Sequence, residues 1–185
     1  VTQANHDYIL SLDGDEALSE VLQKSIVDLK TNWSFDGYYA NRFNNFCGQW
    51  IKHSDWYPNK KLRVFDRRKA EWKGINPHDN VQLNDGKAKA GHLIGDILHQ
   101  TYQSYQEFNE KTKYFSTIAA KAYFDKGKKT SLLNLIWNPT WAFFKSYFLR
   151  LGFLDGYNGY IICKETAKIT FLKYSKLRAL QKVKK

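Results

Sequence analysis

The chain has 185 residues, of which 43% are apolar and 16% aromatic, enough to build a packed core and to exclude a disordered tail. Its 29 Lys and Arg outnumber 18 Asp and Glu, giving a net charge of +11 that points to nucleic acid, anionic lipid or a phosphorylated ligand. Two distant cysteines, Cys47 and Cys163, show no CxxC or Cys/His spacing, which excludes a disulfide scaffold and a structural zinc site and fits a reducing compartment.

Tyr8–Leu12 is a short apolar run that predicts a buried strand stopping at Asp13-Gly14-Asp15-Glu16. Ser19 is placed to cap a helix whose buried face is Leu22, Ile26 and Leu29. Strands are expected over 36–43 and 61–66, with an Asn-, Gly- and aromatic-rich loop between them. Val81–Leu83 and Gly91–Leu98 read as two further strands joined through the turn Asn84-Asp85-Gly86. From Tyr102 to Phe124 there is neither Pro nor Gly, which predicts a helix. Lys126-Gly127-Lys128-Lys129 is a basic connector. Trp141–Leu151 fits an amphipathic helix with Trp141, Phe143, Phe144, Tyr147, Phe148 and Leu151 on a broad apolar face and Ser146 and Arg150 opposite. Gly152–Gly159 is a turn region, and Tyr160–Leu180 a last helix with apolar and basic residues mixed around its axis. No apolar stretch reaches the roughly 18 residues of a membrane span.

The charge is divided unevenly. Residues 1–110 carry 13 Lys and Arg against 15 Asp and Glu, a net of −2, whereas residues 111–185 carry 16 against 3, a net of +13. The chemistry-bearing residues lie in the first part. Asp13 and Asp15, two apart after a strand, can project together and offer oxygen ligands to Mg²⁺ or Mn²⁺, ions that also bind phosphates. The alternative is a polar turn in which either carboxylate caps the next helix.

Several segments, in order, resemble family 2 glycosyltransferases, in particular the bacterial lipopolysaccharide-core and lipooligosaccharide branch. They are Asp7–Glu16, Lys61–Phe65, Asn76-Pro77-His78-Asp79, Gly95–His99, Phe148–Gly156 and Phe171–Leu177. The resemblance implies an α/β fold: part of a GT-A, Rossmann-like sheet followed by C-terminal amphipathic helices. On that basis residues 1–100 form the metal and acceptor half of a GT-A domain, 101–130 a helical connector, and 131–185 an aromatic, basic, membrane-associating region.

The implied activity is an inverting, metal-dependent transfer of a hexose from a nucleotide-sugar, a UDP-hexose, to a lipopolysaccharide or other glycolipid acceptor. The resemblance gives Asp15 as a direct ligand of Mg²⁺ or Mn²⁺, with Asp13 on the metal, its bound water or the donor ribose. It gives Asp79 as the base that takes the acceptor proton, where the branch often has Glu. His99 is a candidate third metal ligand or a structural histidine, and His78 a candidate for orienting the acceptor. Arg63, with Arg67 and Arg68, is a candidate contact to the donor diphosphate, or else part of a solvated strand face. Trp50, Trp56, Tyr57 and Trp72 are either sugar-stacking or core aromatics.

The basic end, with Lys173, Lys176, Arg178, Lys182, Lys184 and Lys185 beside aromatic helices, predicts attachment to an anionic membrane surface, the cytoplasmic face of a bacterial inner membrane. The rival expectation is a non-catalytic basic module on that surface. Nucleic acid fits the charge but no recognition motif supports it. The polar opening lacks a signal-peptide pattern, and the short lead-in to Asp13 predicts a fragment of a longer enzyme with little turnover of its own.

Overall fold

The computed structural model describes residues 4–73, 80–84 and 89–183. Its described strands are β1 (Tyr8–Leu10), β2 (Glu16–Leu18), β3 (Gly37–Phe46), β4 (Gln49–Ile51), β5 (Asn59–Asp66), β6 (Ala70–Lys73), β7 (Asn80–Leu83) and β8 (Ala90–Tyr102). The helices are α1 (Glu20–Leu29), α2 (Tyr105–Asp125), α3 (Leu132–Phe144) and α4 (Gly156–Val183). The class is α/β, a sheet followed by C-terminal helices, consistent with part of a Rossmann-like fold. Strands run in the order β1-β5-β3-β8-β2, with β4 paired to β3, and β6 and β7 form a separate pair. The pairs β1·β5, β3·β5 and β2·β8 are antiparallel.

The chain divides into two units. The first comprises Val1–Asn44 and Tyr57–Gln100. Its core joins Leu22 and Leu29 of α1 to Tyr38, Ala40, Val64, Leu93 and Ile97 of the sheet, with Ile26 partly buried against them. Ser19 caps α1 as its position predicts, its Oγ accepting from Leu22 N–H at 3.2 Å. The approach of α1 to β8 is close enough to need Gly95: a Cβ there would lie 2.4 Å from Leu22 N, and φ is +103°. A second cluster, Leu62, Phe65, Ala70 and Val81, anchors the β6–β7 hairpin. Thus β7 does not pair with β8 through the Asn84 turn; it turns back on β6, a strand the sequence pattern leaves unmarked because only Ala70 of its four residues is buried.

The second unit comprises Asn45–Trp56 and Thr101–Lys185. The expected Asn-rich loop is instead the end of β3 and a hairpin to β4, closed by Cys47 and Gly48 at φ of 49° and 85°. Phe46, Ile51, Phe108 and Ile162 form the core, with Trp56 and Tyr102 packed on it. Ser104 caps α2 by accepting from Glu107 N–H, and Glu107 accepts in return from Gln103 N–H. The glycines of the expected turn region lie inside structure. Residues Gly152–Asp155 form a 3₁₀ turn, α4 starts at Gly156, and a Cβ on Gly159 would come within 1.9 Å of Gly152 O.

The 141–151 segment sets Trp141, Phe144, Phe148 and Leu151 apart from Ser146 as expected, and it is Ser146 that is buried. Its hydroxyl donates to Ser54 C=O at 3.2 Å and accepts from the Cys163 thiol at 3.3 Å. Trp141, Phe144, Phe148 and Leu151 face solvent instead. They continue a stripe that begins earlier, at Leu132, Leu133, Ile136 and Trp137, with Ile136 71% and Trp137 69% exposed. α3 contains no charged residue and buries none of its side chains fully. Among the described residues, no helix is long and apolar enough to cross a membrane.

Candidate active site

The acidic segment does not extend the β1 strand. Ser11 N–H still donates to Arg63 C=O at 2.8 Å, and the chain then turns, with Glu16 N–H donating to Asp13 C=O at 3.1 Å. Gln100 N–H donates to Asp15 C=O at 3.0 Å, tying the turn to β8. The two carboxylates therefore take different partners rather than projecting as one pair. Asp13 Oδ2 accepts from Arg63 Nη2 at 2.5 Å, and Asp15 Oδ2 lies 3.3 Å from His99 Nε2. Both carboxylates remain about half exposed.

Glu16, which the sequence pattern does not single out, sits between them energetically. Its side chain is fully buried, accepts from Arg63 Nη2 at 2.9 Å and lies 3.6 Å from Arg42 Nη1. A buried carboxylate of this kind is tolerated because two guanidinium groups compensate its desolvation. The signal for Arg42 and Arg63 is period-two alternation: Arg42 with Asn44 on β3, and Lys61 with Arg63 on β5.

His99 faces Glu16 across the β2·β8 register. Asn44 Oδ1 lies 2.7 Å from His99 Nδ1, placed to accept from an Nδ1–H. Burial, reinforced by the nearby Arg42 charge, lowers the His99 pKa, while Asp15 and Glu16 act in the opposite direction. His99 Nε2 and the Asp15 carboxylate oxygen lie 3.3 Å apart. A nitrogen and an oxygen donor side by side could share a cation, and such a mixed donor set suits Mn²⁺ better than Mg²⁺. The Nδ1–H to Asn44 bond is the kind of outer contact that fixes a metal-binding histidine. Among the described residues, no group of three or more His, Cys, Asp or Glu side chains converges, so water or substrate oxygens would complete such a shell.

Other sequence candidates separate. Asp79 and His78 lie outside the described residues. Arg67 donates to Ala4 C=O and pairs with Asp7; Arg68 pairs with Asp66 and Asp7. Trp56 packs in the second unit's core, and Tyr57 O–H donates to Asp96 at 2.9 Å. Only Trp72 lies near the acidic segment's partners, its ring 5.8 Å from the Arg63 guanidinium carbon.

No protein-family model matches the chain. It is 30% identical over 187 residues to an uncharacterized glycosyltransferase of Rickettsia prowazekii, covering 95% of this chain and 63% of that protein. An uncharacterized glycosyltransferase of Rickettsia felis is 29% identical, with 94% and 64% covered. The lipopolysaccharide core biosynthesis glycosyltransferase LpsC of Rhizobium meliloti is 25% identical, with 95% and 65% covered. The chain therefore spans just under two thirds of the length of these relatives.

Proposed function

We propose that this chain is the metal- and acceptor-side portion of an inverting glycosyltransferase of the family 2, GT-A type. It would transfer a hexose from a UDP-linked donor to a lipopolysaccharide-core or related glycolipid acceptor. The observation that carries the proposal is the Asp15–His99 pair, with Asn44 against the other ring nitrogen of His99. The resemblance to proteins named as glycosyltransferases, LpsC among them, supports the reaction class and the lipopolysaccharide acceptor.

In this reading Asp15 Oδ2 and His99 Nε2 hold a Mn²⁺ or Mg²⁺ ion, which when bound supplies Lewis-acid neutralisation of the leaving nucleotide diphosphate. Arg63 keeps Asp13 in place by its 2.5 Å bond and carries a positive charge to the same locality, where the diphosphate would be. Asp79 is the base on sequence grounds, taking the acceptor hydroxyl proton as that oxygen attacks the anomeric carbon in a single displacement.

The exposed, charge-free stripe of α3 supports attachment to an anionic bilayer, the inner face of the bacterial inner membrane. Trp137 and Trp141 suit the headgroup level, and the flanking Lys126, Lys128 and Lys129 would attract anionic lipid.

The metal assignment is tested by titrating the chain with Mn²⁺ and following the free-ion electron paramagnetic resonance signal. Asp15→Ala and His99→Gln should each weaken binding at least tenfold. Unchanged Mn²⁺ affinity in both variants would reject the site.

A further inference from the structure

Asp13 also borders a cavity of about 620 Å³ whose charged lining is otherwise cationic, Arg42, Lys60, Lys61 and Arg63, with the neutral amide of Asn80 beside them. The rings of Tyr39 and Trp72 form part of its wall, and each is about one-third exposed. Neither Asp15 nor His99 lines it. Among the described residues the charges do not balance: four cations meet two carboxylates, Asp13 and Glu16, and both carboxylates are engaged with the arginines. Among the described residues, no carboxylate pairs with Lys60 or Lys61. Arg63, whose side chain is 6% exposed, leaves its buried Nε without a hydrogen-bond partner, and so does Arg42. Burial together with the neighbouring Arg42 and Arg63 lowers the Lys61 pKa, against the weaker opposing effect of Glu16 and Asp13.

Two chemistries meet here. Surplus guanidinium and ammonium groups in a partly enclosed space match the oxygens of a phosphate or carboxylate. Aromatic faces beside them match the apolar C–H face of a pyranose ring. We propose that this cavity binds an acidic sugar, a hexose bearing a phosphate or carboxylate, and that it is a recognition subsite for an anionic residue of the acceptor glycan. The acceptor role rests on the transferase reading above; the acidic-sugar site does not. Apart from Asp13 its lining comes from β3, β5, β6 and β7 and includes neither Asp15 nor His99, so occupancy does not require a cation at that pair.

Isothermal titration of the full chain in EDTA tests this, with glucose 6-phosphate, glucuronic acid, glucose, inorganic phosphate and pyrophosphate as probes. Glucose 6-phosphate and glucuronic acid should bind at least tenfold more tightly than glucose. The double variant Lys60→Gln/Lys61→Gln should lose at least tenfold of that affinity, and Asp15→Ala should keep it. Trp72→Ala should weaken glucose 6-phosphate while leaving inorganic phosphate little changed, which separates ring stacking from charge. The inference is overturned if both acidic sugars bind no better than glucose, or if the lysine variant binds them like the parent. It is also overturned if pyrophosphate binds tenfold more tightly than glucose 6-phosphate and is lost with the same lysines, because the cavity would then serve the donor. Lysine-dependent glucose 6-phosphate binding alongside Mn²⁺ binding that ignores Asp15→Ala would uphold the cavity and remove only the metal assignment.

Discussion

The three carboxylates of the acidic turn are separated by the partners they meet. Asp13, Asp15 and Glu16 lie within four residues, yet one is bridged to Arg63, one faces His99 and one is buried between two arginines. Residue type and spacing are enough to nominate Asp13, Asp15, Arg63 and His99. What they cannot convey is that Arg63, 50 positions away, turns Asp13 aside from Asp15, because that depends on β1 and β5 being antiparallel neighbours. Glu16 escapes notice for the same reason: only the pairing of β2 with β8 shows that its side chain points inward. Asp66 gives a test at this scale that is independent of the site. It is buried at the end of β5 and accepts from Arg68 N–H, Nε and Nη2. Those bonds from Arg68 hold its pKa below the ordinary carboxylate value, against the opposing effect of burial. A lowered folded pKa means the stabilisation is complete above the unfolded pKa of about 3.9 and disappears as pH falls through the folded value. Asp66→Asn should therefore cost about 1 kcal/mol in urea unfolding at pH 7, with the gap to the parent closing below pH 4. A gap that stays constant down to pH 3 would contradict the assignment.

Among the elements, those with strong local signals match their predictions: α1 with its Ser19 cap, α2 with its Gly- and Pro-free run, and the apolar parts of β3, β5 and β8. The short strands β2, β4 and β6 are three or four residues long and exist through their partners rather than through their own patterns. The contact of α1 with β8 depends on one missing side chain. Gly95→Ala would put a methyl group against Leu22 N at an unfavourable φ, so an unfolding loss of about 3 kcal/mol is expected, measured by thermal or urea denaturation. After α3, periodicity separates the aromatic face from Ser146 but does not say which side is buried: Ser146 is, held by Ser54 and Cys163 from distant parts of the chain. If the outward stripe attaches to lipid, Trp137→Glu should reduce sedimentation with phosphatidylglycerol vesicles about tenfold. Its melting temperature should stay close to the parent's, since Trp137 is mostly exposed. Equal sedimentation of parent and variant would exclude this face.

At the scale of the whole molecule, the division of charge carries more information than its total. The −2 of residues 1–110 holds the acidic turn, its arginines and the acidic-sugar cavity, while the +13 of residues 111–185 surrounds an uncharged aromatic helix. A single figure of +11 conceals both. The α/β class was legible from the order of apolar runs and long helices. The division into two units was not, because residues 45–56 join a set of helices more than fifty positions downstream. Side-on attachment through α3 would also change how turnover should be measured. An enzyme and a glycolipid held in the same surface meet by lateral diffusion, so their encounter rate follows acceptor molecules per unit area rather than per unit volume. Adding inert lipid at fixed total acceptor would then slow the reaction, whereas diluting the whole suspension with buffer would leave the rate per bound enzyme unchanged.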